Sequence, residues 1–130
     1  MTFLFIDFET TSPDVDLGDC GTYNYVYADK FQVVSTSYYR VNHPNDLPTD
    51  PSELDNLETN IEFCLSLPPS DVFAGVTKII CHNAMFEATV LRKYGYEFEY
   101  IDTLAMCSIA GIPLGLGKAA VALGFSFEKN

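Results

Sequence analysis

A chain of 130 residues, 48% of them hydrophobic, is the length of one ordinary domain and carries enough apolar side chain for a real core. Its 7 basic residues against 18 acidic ones give a net charge of −11, which argues against autonomous nucleic-acid binding, because lysine and arginine supply most non-specific affinity. No apolar run approaches the roughly 20 residues needed to span a bilayer, and the start "MTFLFIDF" has neither the basic flank nor the length of a signal peptide, so neither a membrane protein nor a secreted one is expected.

The first predicted element is a strand over residues 2–8, apolar on both faces as a central strand covered on two sides would be. Its end carries Asp7 and Glu9. Side chains alternate along a strand, so these carboxylates share one face while Phe8 returns to the other. Two negative charges held side by side repel, and a divalent cation between them is the simplest relief. The next stretch, "TTSPDVDLGDCG", is dense in Pro, Gly, Ser and Asp and reads as loop. Residues 31–41 then predict a second strand, with Tyr23, Tyr25 and Tyr27 before it packing as strand residues rather than stacking on bases.

"NHPNDLPTDP" holds three prolines, which block regular structure. Ser52-Glu53 has the form of a helix start, and Leu54, Leu57, Ile61, Cys64 and Leu65 recur at helical spacing as far as "LPPS". "VTKIIC" predicts a short strand, and "NAMFEATVLRKYG" a helix closed at Gly95. Residues 102–110 and 116–123 predict two more helices divided by "GIPLG". Strands followed by alternating helix and strand make one mixed α/β domain over residues 1–130.

At the junction His82-Asn83, Asn83 and Glu87 stand four apart and share a helix face. In the plainest reading Asn83 caps that helix and Glu87 is favoured by its dipole. Asp102 before Thr103 likewise reads as a cap, and His82 as a hydrogen-bonded residue behind a strand end. His43 has no partner in sequence. "LGLGK", with Gly115 and Gly117, lacks the phosphate-loop pattern and reads as a turn before a helix. Cys20, Cys64, Cys81 and Cys107 form no C-x-x-C pair and have no histidine at zinc spacing, so they read as reduced thiols of a cytoplasmic protein.

Together, "DFET" and "HNAMFE" resemble the DEDD, or DnaQ-like, family of 3′-to-5′ exonucleases, in particular the proofreading exonuclease domains of phage family A DNA polymerases. The first motif, D-x-E-T, is matched by Asp7, Glu9 and Thr10; the second, an Asn before an aromatic residue and an acid, by Asn83, Phe86 and Glu87. The likeness continues through "IDTLAMCSIAGIP" and "LGKAAVALGF" and so spans nearly the whole chain. It implies a ribonuclease H-like α/β fold, a mixed sheet with a central first strand and flanking helices. It also implies two-metal cleavage, with Mg²⁺ or Mn²⁺, at the 3′ end of single-stranded DNA. Asp7 would bridge the ions, Glu9 would bind the one carrying the attacking water, and Glu87 would act through the second ion or its water shell. Thr10, Asn83 and Phe86 would position the substrate, and a polymerase chain or another replication protein would be the partner.

Two departures stand out. Glu87 occupies a position where the wider family usually has Asp. The third motif, Tyr-x-x-x-Asp or His-x-x-x-x-Asp, is expected after "LGF", and the sequence reaches Asn130 without it, so the C-terminal helix and its acid are expected to be missing and activity alone to be weak or absent. Tyr25 and Asp29 have the right spacing but precede the second motif, a coincidence. Two other readings stand beside this one: a catalytically silent module that docks onto a polymerase or replication partner, and an RNA substrate, since no visible motif reads the 2′-hydroxyl.

Overall fold

The computed structural model describes residues 1–47 and 60–124. Strands β1 (Thr2–Thr11), β2 (Gln32–Val41), β3 (Glu62–Leu65), β4 (Val76–Cys81) and β5 (Glu99–Asp102) form one sheet in the order β3-β2-β1-β4-β5. Among the described residues four helices flank it: α1 (Leu17–Val26), α2 (Ala84–Lys93), α3 (Thr103–Ala110) and α4 (Leu116–Ala122). β2 runs antiparallel to both β1 and β3, whereas β4 is parallel to β1 and to β5. The sheet is therefore mixed, and α2 makes the crossover that parallel neighbours such as β4 and β5 require.

β1 is central because alternation gives it one wholly apolar face: Leu4, Ile6 and Phe8 are buried, while Asp7 and Glu9 stand exposed on the other. The buried face joins Val26 of α1, Val33 of β2, Ile79 of β4, and Val90 and Leu91 of α2 in one core. Each such side chain contributes roughly 1.5–3 kcal/mol by leaving water. α2 presents Ala84, Glu87, Val90 and Leu91 inward, the i, i+3, i+6, i+7 stripe of an amphipathic helix with an acid in its midst. The helix closes as expected: Gly95 takes φ +88°, and Tyr96 N–H donates back to the Leu91 carbonyl.

Several expectations are corrected. β1 runs on to Thr11, because the ladder with β2 resumes after a bulge between Glu9 and Thr10. The expected loop also holds the start of α1, whose N-cap Asp16 accepts from Gly18 N–H at 2.8 Å, and which kinks at Gly21, φ +80°. The tyrosines thus pack as helix residues: Tyr23 and Tyr27, one turn apart, stack at 4.5 Å, while Tyr25 turns inward to Phe31. The expected helix from residue 52 to 65 ends instead as β3, since Glu62–Leu65 pair with Tyr38–Ser35 of β2; residues 52–59 lie outside those described. Pro44–Asp46 form a single 3-10 turn, and Pro48 and Pro51 lie outside the described residues. α3 and α4 follow the predicted spans, whereas β5 lies in a stretch to which no element was assigned.

Candidate active site

Strand alternation sets Asp7 and Glu9 on the open side of the sheet, across from Ser37 and Ser35 of β2. Partial burial, and then the charge of Glu9, push the Asp7 carboxyl above its ordinary range. The two acids form one wall of a cleft of about 1,020 Å³, faced by Pro113, Gly115, Leu116 and Lys118 at the start of α4. A smaller groove of about 370 Å³ opens beside it over Phe5, Tyr39 and Ile80. Asp7 and Leu116 border both.

Glu87 approaches from the opposite face. It is only 4% exposed, and its Oε2 has no hydrogen-bond partner. Burial above all pushes its carboxyl up to about 8; a bond from its own backbone N–H opposes this, and the charges of Asp7 and Asp102 add to it. The Cys81 thiol is pushed up to about 12 by burial and then by the charges of Glu87, Asp102 and Asp7. The end of β4 therefore lies within electrostatic reach of three acids.

Asp102 differs from Glu87 in its partners. Partial burial acts upward on its carboxyl, but backbone N–H groups of Ala84, Asn83, Leu104 and Ala105 hold it below the ordinary carboxylate value. Its Oδ1 accepts from Asn83 N–H at 2.9 Å and from Leu104 N–H at 3.0 Å, so it caps α3 as expected and also ties down the start of α2. Asp102 keeps its charge, whereas Glu87 holds a proton at neutral pH unless a cation replaces it.

The all-oxygen set of Asp7, Glu9 and Glu87 suits a hard divalent cation, and the orphaned Oε2 is a ligand atom without other employment. Among the described residues no group of three or more His, Cys, Asp or Glu side chains is gathered tightly enough to hold an ion. Asp7 and Glu9 thus share the cleft, and Glu87 is linked to Asp7 through its field alone, without a preassembled cage.

The other predicted site residues are spread around this centre. Thr10 Oγ1 lies 3.3 Å from the Tyr25 hydroxyl, and the Tyr25 ring lies 6.1 Å from that of Phe86, so one tyrosine of α1 links both motifs. Phe86 is half-buried and packs on the core. Asn83 does not cap α2 with its side chain: it sits at φ +74°, in the left-handed region asparagine tolerates, and its N–H goes to Asp102. A capping residue needs extended backbone to turn its side chain onto the first turn, and Asp102 supplies that acceptor instead. His82 is hydrogen-bonded as expected: Nδ1 meets Thr103 Oγ1 at 2.9 Å, and Nε2–H donates to the Leu114 carbonyl at 2.6 Å. It thereby fastens the cleft's far wall to the end of β4. His43 is exposed. All four cysteines are free, as expected, with Cys81 and Cys107 buried. No helix among the described residues is long and apolar enough to cross a membrane.

Sequence reasoning missed the linking role of Tyr25 and the place of Lys118 opposite the acids. "LGLGK" held the second signal, but as a lysine near a cleft and not as a phosphate loop. No family model matches the chain, and no curated protein matches it either.

Proposed function

We propose that the chain is a metal-dependent 3′-to-5′ exonuclease module of proofreading type, with a ribonuclease H-like fold and the 3′ end of single-stranded DNA as substrate. The observation that carries this reading is Glu87: a carboxylate buried on a helix's core face, unpartnered at Oε2, in the field of Asp7 and Asp102. A structural acid would be paired. An unpaired one in the field of two further acids supports a cation-binding reading. A central β1 carrying those acids at its end supports the same reading.

Two divalent ions, Mg²⁺ or Mn²⁺, when bound to such a centre supply an activated water and charge stabilisation at the leaving oxygen. The chain's own part is to hold and orient. Asp7 and Glu9 present oxygen ligands from a rigid strand, and Glu87 adds one from the first turn of α2. Asp102 fixes that turn by holding Asn83 N–H. Phe5 and Tyr39, whose rings lie 6.3 Å apart beside Asp7, offer a surface on which the terminal base stacks.

The test is a 5′-labelled single strand of DNA, and one of RNA, incubated with the chain and Mn²⁺, alone and with a polymerase chain carrying Tyr-x-x-x-Asp. Stepwise shortening from the 3′ end, weak or absent with the chain alone, present with the polymerase chain, and reduced by orders of magnitude in Asp7→Ala and Glu87→Gln, is the expected result. Unchanged shortening in Asp7→Ala would refute the assignment.

A second reading, a catalytically silent module docked on a polymerase or other replication partner, is favoured by one observation. Large apolar side chains stand in water at Phe63 (64% exposed), Leu65 (76%) and Ile109 (89%). It predicts partner binding with no Mn²⁺ dependence and no strand shortening.

A further inference from the structure

Among the described residues, nearly every lysine and arginine has a partner within the fold. Lys30 pairs with Asp14 at 3.3 Å, Lys78 with Glu99 at 3.8 Å and Arg92 with Glu97 at 3.6 Å. Arg40 donates to the Val72 carbonyl at 2.9 Å, and Lys93 donates to the Val26 carbonyl at 2.8 Å while lying over the Phe31 ring. Lys118 is the exception among them. Its side chain is exposed, makes no ion pair or hydrogen bond with the described residues, and lines the same cleft as Asp7 and Glu9. The cleft is wide enough that a lysine and two carboxylates share it without joining. Its volume is at the upper end of the range, about 300–1,000 Å³, in which ligands are usually held.

We infer that Lys118 is a phosphate-binding residue of this cleft, contacting the backbone of a single strand from the α4 wall while the strand's reacting end lies against the carboxylates of β1. The inference rests on the exonuclease reading and adds to it the path of the substrate. An acidic wall neutralised by cations can accept one phosphate, but the neighbouring phosphates then face the other wall, and Lys118 is the cation there. Lysine acts on phosphate as a point charge and needs no fixed geometry, which suits an exposed position on a short helix. The wall itself is held in place by the His82 bond to the Leu114 carbonyl. Lys118 is thus a binding residue that touches substrate, with no proton to move.

The experiment is anisotropy of a 5′-fluorescein-labelled oligothymidylate with the full chain, in Ca²⁺ to limit cleavage, over a series of salt concentrations. Lys118→Ala should weaken binding about tenfold and lower the slope of log K against log salt by about 0.7, the loss of one phosphate contact to a single strand. Lys118→Arg should restore both, and Lys30→Ala, which removes a cation paired elsewhere, should leave the slope unchanged. Matching unfolding midpoints for the variants show that folding is intact. Wild-type binding with the same slope in Lys118→Ala overturns this inference alone. Absence of binding by the wild type overturns the exonuclease reading, and this inference with it.

Discussion

Glu87 breaks the apolar stripe of α2 at the point where the helix enters the core, and the energetic consequence has a sign that can be measured. Its carboxyl stands at about 8 in the folded chain, against an ordinary value of 4.5, chiefly because burial penalises the charged form. Between those values the folded chain holds a proton that the unfolded chain has released. Stability is therefore greatest below the ordinary value and is lost as pH rises toward 8. The gap corresponds to at most roughly 4–5 kcal/mol. Urea unfolding at pH 5 and pH 8 should show the wild type losing stability with rising pH through Glu87, and Glu87→Gln losing distinctly less. Mn²⁺ should restore wild-type stability at pH 8 and do little for Glu87→Gln. Equal pH slopes for the two proteins would contradict this account of the site. Of all this, the sequence made the shared face of Asp7 and Glu9 legible through strand alternation. The burial of Glu87 was not legible, because it depends on how α2 packs against α1, β4 and β5.

Between elements, Asp102 is the joint on which two strand-to-helix junctions depend. One carboxylate oxygen receives N–H groups from the start of α2 and the start of α3, so Asp102→Ala removes acceptors from both. The expected cost is about 1–2 kcal/mol in thermal or urea unfolding, with partial rescue by Asp102→Asn, which keeps an acceptor. Because its folded value is lowered, this contribution is present above the ordinary carboxylate value and is lost as pH falls through the depressed one. An Asp102→Ala variant as stable as the wild type at neutral pH would remove the joint from the argument. The cap on α3 could be read locally from Asp102-Thr103, whereas the bond to Asn83 spans two elements and leaves no local trace. The same division holds for the fold. β1 and β4 were legible as apolar runs bounded by turn residues, β2 as a β-branched and aromatic stretch, and α2 through its helical spacing. α1 was hidden because the alternating tyrosines imitate a strand and Gly21 interrupts the helix. β3 was hidden because a four-residue edge strand is too short to show alternation, and Ile61, Cys64 and Leu65 happen to fit helical spacing.

At the scale of the whole molecule, a net charge of −11 stands against the polyanionic substrate of the proposed function. The described lysines and arginines are mostly spent on the fold itself, so the protein surface offers little general attraction to phosphate. In the proposed function divalent cations would do double duty, relieving the repulsion between Asp7 and Glu9 and making the cleft approachable for a strand. That dependence makes cation binding the central claim, and titration calorimetry with Mn²⁺ tests it without requiring turnover or a partner chain. The account predicts saturable binding to the wild type, weakened at least tenfold by Asp7→Ala and distinctly weakened by Glu87→Gln. Identical isotherms for the wild type and Asp7→Ala would contradict it.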